Sequence, residues 1–309
     1  MLIIVILLIR QFSSTSCSSL PPKSNPSGLL SPRIYSGLLE PRSYLIVNFK
    51  PLKEELSQYI AQNNLTAGIY VENFRNGAYM GINEKREFFP ASLAKLPIAI
   101  AIMQNVEDGN LEMEKMIDLR GLQGSDGFGY PYNLESSQLS VRTLLEKMLK
   151  ESDNSALEAL YFQLTRVDIQ RALDYYGIDI NTENFSASHF ITPKAMSILF
   201  SSLYFSTVLE AKDSEYLLST LEDTVLDIKK LSGIPPNIRV IHKFGLNYYQ
   251  NSRFFHDCGL IYIDDSRIFY CVMTQDLEKE EAVKHISTIV HSIYGYVMDT
   301  KQKLEQYKK

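Results

Sequence analysis

Ser92 and Lys95 stand three positions apart in the run Ser92-Leu93-Ala94-Lys95. On a helix that spacing puts both side chains on one face. A serine hydroxyl is a poor nucleophile until a neighbouring base takes its proton. Lys95 is followed by LPIAIAIM, an apolar setting that would strip water from its ammonium and favour the neutral amine. Ser92 at a helix start would also meet free N–H groups and the positive helix end, which favour developing negative charge. The same four residues equally suit a helix cap followed by a surface lysine. A second pattern, Ser152-Asp153-Asn154, falls between two predicted helices. Alone it reads as a helix start capped by Asp153 or Asn154. A third, His242-Lys243-Phe244-Gly245, closes a predicted strand. Alone it is an edge-strand lysine beside a glycine bulge. The five His residues show no ligand spacing. His285 and His291 read as helix-face residues, and neither a metal nor a cofactor is expected.

The elements that must position these residues follow from periodicity. Leu52, Leu56, Tyr59 and Ile60 recur at helical spacing over residues 51–62. Ala67 to Asn73 (AGIYVEN) reads as a strand, Arg75-Asn76-Gly77 as a turn, and Ala78 to Ile82 as its return. One long helix is predicted over Pro90 to Asp108, ended by Gly109-Asn110. Further helices are predicted over 140–150, 155–164, 168–176, 193–205 and 214–230. Strands return over 239–244, 258–263 and 267–274, with Asp264-Asp265-Ser266 as the turn between the last two. A closing helix over 280–298 carries Val283, Ile286, Ile289, Val290, Ile293, Tyr294 and Val297 on one stripe. A three-residue turn makes Cys258 and Cys271 diagonal neighbours, so both are read as buried thiols. The order predicts an α+β fold, in which the terminal helices cover one face of a five-stranded antiparallel sheet and the central helices pack on the other.

The chain of 309 residues has 45% hydrophobic and 22% charged residues and a net charge of −5. These values exclude a disordered or fibrous chain. The mild acidity, without a basic run, argues against a nucleic-acid partner. Three cysteines do not make a disulfide scaffold. Leu2 to Ile9 (LIIVILLI) is too short to span a bilayer and suits the apolar core of an export signal. It lacks a basic flank, which leaves room for a start further upstream. Cys17 follows small residues, as a lipidated cysteine would, although the apolar residue expected three positions earlier is missing. Ser, Pro and Gly crowd residues 18–44, which suits a tether. Residues 1–44 are thus expected to be export signal or membrane anchor plus linker, and residues 45–309 the folded unit. Its sheet part would span 45–88 and 236–309 and its helical part 89–235. The expected location is extracytoplasmic, with membrane contact through the N-terminus only.

Together, in this order, the three patterns resemble the S-x-x-K, S-D-N and K-T-G set of serine β-lactamases and penicillin-binding proteins. Ser92 and Ser152 lie 60 positions apart, the spacing usual for class A β-lactamases. The context is similar too. GIYVENFRNGAYMGINEKREFFPASLAKLPIAIAI resembles the class A strand–turn–strand–SxxK block, and SVRTLLEKMLKESDNSALEAL the SDN block. ITPKAM resembles the TTP-x-AM helix start, and DCGLIYI and IFYCVMT the strands after K-T-G. The likeness covers about residues 50–305. It implies a β-lactamase/transpeptidase-like fold, a three-layer sheet domain plus an all-helical domain. It implies Ser92 as acylated nucleophile, Lys95 as its proton acceptor and Ser152 as relay to the leaving nitrogen. Lys243 would hold the substrate carboxylate, and Asn154 the substrate's acylamide. The N–H groups of Ser92 and Leu246 would form an oxyanion hole, and Gly245 would let substrate lie against the strand. The implied substrate is a β-lactam or a peptidoglycan stem peptide ending in D-Ala-D-Ala, and a monomer is expected.

Two departures qualify the likeness. Phe244 replaces the Thr or Ser of K-T-G, removing a hydroxyl; strand alternation would put its ring on the face opposite Lys243. The family's Ω-loop carries Glu-x-x-Leu-Asn, whose glutamate activates the deacylating water. Here Gly177 and Thr192 are only 15 positions apart and that segment is missing. Glu183 is the single glutamate there, either a substitute base or a solvated loop residue. Acylation with slow deacylation is the reading that follows. A non-catalytic envelope binding protein that keeps the fold, and an esterase using the same Ser-Lys chemistry, stand beside it.

Overall fold

The computed structural model describes residues 48–120, 138–174 and 190–306. The expected signal and tether, with Cys17, and residues 177–189 of the Ω-loop replacement, with Glu183, lie outside the described residues. Helix α1 (Lys50–Gln62) has Pro51 in its first turn, where a missing N–H costs nothing, and buries Leu52, Leu56 and Ile60. Strands β1 (Thr66–Asn73) and β2 (Tyr79–Ile82) form a hairpin. Strands β5 (Arg239–Tyr249), β6 (Ser252–Ile263) and β7 (Ser266–Gln275) complete an antiparallel sheet in the order β2-β1-β7-β6-β5. Between the hairpins run α2 (Lys95–Glu107), the two-stranded β3 (Met116–Asp118) and β4 (Gln138–Ser140), α3 (Val141–Glu146), α4 (Asn154–Tyr161), α5 (Arg166–Asp174), α6 (Pro193–Tyr204), α7 (Ala211–Thr220) and α8 (Ile228–Leu231). Helix α9 (Lys279–Gln306) closes the fold.

The fold is α+β, with the expected five-stranded antiparallel sheet. One hydrophobic cluster joins α1 and α9 to one sheet face through Leu52, Leu56, Ile289, Ile293, Ile69 and Val272. A second joins the central helices to the other face through Ile100, Leu145, Phe200, Leu260 and Phe269. Both faces being covered, β6 and β7 are buried along almost their whole length. Positions 241, 243 and 245 on β5 share the face of the central helices, since Ile241 belongs to the second cluster and Val240 to the first.

Several expectations need correction. The helix predicted over 90–108 opens instead as a 3-10 turn, Ala91–Ala94, because Ala91 has φ +49°, outside any right-handed helix. The helix predicted over 140–150 changes at Lys147 into a π-helical turn, Lys147–Glu151, that ends at Ser152 with φ +60°. The helix predicted over 214–230 is two helices. Asp227 caps α8 by accepting from Lys230 N–H at 2.9 Å, and Val225 N–H donates to Lys150 O, so the chain between leaves the helical path. The last hairpins are longer than periodicity showed, since β5 and β6 pair as far as Tyr249 and Ser252 across Gln250 and Asn251, both at positive φ as a two-residue hairpin turn requires.

The two cysteines are the clearest correction. Cys258 and Cys271 are directly opposite and form a disulfide. The turn between β6 and β7 holds two residues, Asp264 and Asp265, and Ser266 already pairs with Ile263. A turn one residue shorter than expected moves the two sulfurs from diagonal to facing positions. Closing a loop with a separation of 13 residues should stabilise the fold by about 3 kcal/mol. Cys258→Ala with Cys271→Ala is expected to lower the denaturation midpoint accordingly. An unchanged midpoint under oxidising conditions would show that the bridge contributes nothing.

Candidate active site

Ser92 occupies the second position of the 3-10 turn, and Lys95 opens α2 directly behind it. The Lys95 Nζ is 3.0 Å from Ser92 Oγ, as the three-residue spacing requires. Lys95 is 1% exposed, among the most deeply buried side chains described. From across the helices, Ser152 presents both its carbonyl oxygen, 2.5 Å from Lys95 Nζ, and its Oγ, 3.2 Å away. It can present both because its left-handed backbone turns the chain sharply between the π-helical turn and α4. Asn154 Oδ1 accepts from Lys95 Nζ at 2.6 Å. Asp153, not Asn154, caps α4, accepting from Ala156 N–H at 2.9 Å.

Ser152 O and Asn154 Oδ1 can only accept, and they are the two nearest partners of Lys95 Nζ. Ser92 Oγ and Ser152 Oγ can donate as well as accept. These oxygens accommodate either the ammonium, with three N–H bonds, or the neutral amine, with two N–H bonds and a lone pair that a hydroxyl can meet. Burial pushes the Lys95 pKa down from 10.5 to about 7, against the opposing pull of Asp153. Near neutral pH the amine is therefore poised between the two forms.

Lys243 lies on the face of β5 that meets the same helices. It is fully buried, and among the described residues its Nζ has no hydrogen-bond partner. Burial and the positive charge of Lys95 hold its pKa well below the usual lysine range, with Asp257 opposing. Phe244 does not stay clear of it. The ring centroid lies 4.5 Å from Lys243 Nζ, and since β5 is the sheet edge no further strand separates the two side chains. Gly245 follows, where a Cβ would sit 3.2 Å from Ser92 N and 3.0 Å from Pro90 O. The absent side chain is what lets β5 pass so close to the turn that carries Ser92. Leu246, half-buried, packs instead with the cluster on the α1 and α9 face.

The structure thus brings Ser92, Lys95, Ser152 and Asn154 into direct contact, and sets Lys243 and Gly245 beside them. Sequence reading missed a second buried polar group. His242 Nδ1 lies 2.7 Å from Asp257 Oδ2, and Tyr270 donates to Asp257 Oδ1 at 2.5 Å. His242 Nε2 meets Thr224 Oγ1 at 2.7 Å. Burial and Asp257 raise the Tyr270 pKa well above its usual value, so it remains a proton donor. His285 and His291 bond Tyr59 and the Ser232 carbonyl. Among the described residues no cluster of His, Cys, Asp or Glu could hold a metal ion, and no helix is long and apolar enough to cross a membrane.

A five-stranded antiparallel sheet between helical layers, with a serine and a buried lysine at its margin, defines a serine hydrolase of the β-lactamase type. A family model for beta-lactamase enzymes matches residues 51–297, so the chain belongs to the beta-lactamase enzyme family. Beta-lactamase VEB-1 of Pseudomonas aeruginosa is 24% identical over 215 residues, 64% of this chain and 72% of that protein. The beta-lactamase regulatory protein BlaB of Streptomyces cacaoi is 27% identical over 139 residues, 43% of each chain. Among solved structures, PBP-A superposes with a TM-score of 0.72 at 19% identity, over 82% of this chain and 98% of its own. The TLA-3 extended-spectrum beta-lactamase gives 0.71 at 20% identity, over 81% and 99%. At such identities the structural likeness carries the fold.

The Lys95 amine should be visible directly. With 13C-labelled lysine, one ε-carbon resonance is expected to titrate near pH 7 and to vanish in Lys95→Met. A Lys95 resonance that titrates near pH 10 would contradict the desolvated site.

Proposed function

We propose that the protein is acylated on Ser92 by β-lactams or by peptides ending in D-Ala-D-Ala, and that the acyl-enzyme is released slowly. The observation that carries this reading is the Lys95 amine, 3.0 Å from Ser92 Oγ and with its lone pair available near neutral pH. Ser92 Oγ would bond to the substrate carbonyl carbon as Lys95 takes its proton. The C–N bond would then break, and Ser152 Oγ would pass a proton to the leaving nitrogen while recovering one from Lys95. Lys243, buried without a partner among the described residues, would pair with the substrate carboxylate. Asn154 would share its side chain between Lys95 and the substrate amide. The Ser92 and Leu246 N–H groups would hold the oxyanion, and Gly245 would leave room for substrate along β5.

Slow release rests on the sequence between Gly177 and Thr192, which lacks the Glu-x-x-Leu-Asn segment that would activate a water. Phe244 in place of a hydroxyl residue further weakens carboxylate recognition and favours a modest catalyst. The protein would act as a monomer. The catalytic unit would be residues 45–309 behind a tether of 1–44. Export is supported by the LIIVILLI run and by the Cys258–Cys271 disulfide, a bond that persists in oxidising compartments.

Incubation of the full chain with a penicillin, followed by intact mass, tests this. A stoichiometric adduct is expected, absent in Ser92→Ala and formed about 10²- to 10⁴-fold more slowly in Lys95→Ala. Its formation rate should rise about tenfold per pH unit below pH 7 and level off above, as Lys95 loses its proton. Turnover should stay below about 1 s⁻¹. If no adduct forms at any pH, the chain is a binding protein that keeps the fold.

A further inference from the structure

Nothing so far explains what holds Ser92 in place, and the local backbone needs holding. Ala91, immediately before it, has φ +49°, a conformation that an L-residue keeps only when its surroundings impose it. On one side β5 imposes it, because Gly245 packs against Pro90 O, Ala91 Cβ and Ser92 N. On the other side stands His256. It pairs with Gly245 across β5 and β6, and it is fully buried. Its Nε2 lies 2.8 Å from the carbonyl oxygen of Phe89, the last residue before the Pro90-Ala91-Ser92 turn.

The tautomer follows from its other partner. The Thr274 backbone N–H can only donate, and it points at His256 Nδ1 at 3.3 Å. Nδ1 is therefore the acceptor and Nε2 carries the proton, which it donates to Phe89 O. The ring cannot turn away, since Phe88 packs edge-on against it at 5.8 Å and Phe254 lies at 6.0 Å. Thr274 is itself fixed, its Oγ1 donating to Phe255 O at 2.7 Å. Burial lowers the His256 pKa to about 4, so the neutral form persists wherever Lys95 can act as a base. One residue earlier, Phe88 is tied to Ile191 by a pair of backbone hydrogen bonds of 2.9 and 3.0 Å.

We infer that His256 is a positioning residue for acylation: its Nε2–H fixes the Phe89 carbonyl and so, through the rigid Pro90 and the left-handed Ala91, sets the direction of the Ser92 N–H and Oγ. His256 touches neither substrate nor Ser92. Its effect falls on the rate of the bond-forming step and not on binding, because Lys243 and Asn154 are held by other elements. The inference rests on Ser92 being the acylated residue.

Three substitutions separate the two hydrogen bonds. His256→Gln can place an amide N–H near the Nε2 position and keep the bond to Phe89. His256→Asn can offer an acceptor to Thr274 but cannot reach Phe89. His256→Leu keeps neither. Labelling of the full chain with a fluorescent penicillin over a concentration series gives the acylation rate and the binding constant separately. Asn and Leu variants are expected to acylate about 10- to 100-fold more slowly with binding changed by less than about 3-fold, as a displaced nucleophile would. The Gln variant is expected to return to within about 3-fold of wild type. A fast Asn variant, a slow Gln variant or a loss confined to binding would overturn the inference. If Asn and Leu do not fold, Gln against wild type decides alone, and a Gln variant that does not fold also overturns it, because the Thr274 bond would then be the essential one. An unlabelled wild-type chain overturns the acylation reading itself, and is told apart by that.

Discussion

The Lys95 amine is the interaction on which the site depends, and it is bought with stability. A lysine at 1% exposure has lost its hydration, and what replaces water is a ring of oxygens set at fixed positions. Two of these, Ser152 O and Asn154 Oδ1, can only accept. Their geometry therefore selects how the amine turns and leaves its remaining position facing Ser92 and Ser152. Those oxygens come from the junction of a π-helical turn with α4, where Ser152 is left-handed. The irregular junction is thus the condition for presenting a carbonyl, a hydroxyl and an amide to one nitrogen. A regular helix through 152–154 would spread these groups around its circumference.

The sheet supplies the second constraint. β5 approaches the Ser92 turn where it lacks a side chain, at Gly245, and Ala91 in that turn is at positive φ. Each irregularity makes sense through the other. The hairpin that carries Lys243 is held from its far face by Asp257, which receives hydrogen bonds from Tyr270 and His242. That carboxylate also raises the Lys243 pKa against burial and the charge of Lys95. Two buried amines in one site repel each other when both are protonated, and Asp257 offsets part of that repulsion from behind the strand.

The sequence made legible whatever depends on local spacing. Ser92 and Lys95 sit three apart, and any helical turn brings them together. The apolar stripe of α9 and the alternation in β1 each specify one element without outside help. What escaped was set by turns and tertiary contacts. The facing of Cys258 and Cys271 depends on whether Ser266 belongs to the turn or to the strand, a difference of one residue that periodicity does not resolve. The division of residues 211–231 into α7 and α8 depends on Asp227 and on Val225 bonding to Lys150, a contact 75 positions away. His256 and Asp257, just ahead of the strand predicted over 258–263, gave no signal because their partners, Phe89 O and His242, lie on other elements. The ring of Phe244 met Lys243 because β5 is an edge, which only the strand order reveals.

The pH dependence of stability and that of chemistry run in the same direction, and one cause explains both. Lys95 has a folded pKa of about 7 against 10.5 when exposed. Between those values the unfolded chain binds the proton and the folded chain does not, so stability rises with pH across that window. Below about pH 7 the buried amine is charged in the folded state, and the full cost of its desolvation is present. The amine is therefore neutral above pH 7, on the side where its burial is least costly to the fold. The same logic applies with more force to Lys243, which has no partner among the described residues. A substrate carboxylate would supply one, so binding there would relieve a cost the fold already bears. On the proposed reading that relief would be largest for a ligand carrying negative charge, and it would not depend on the hydroxyl that Phe244 replaces.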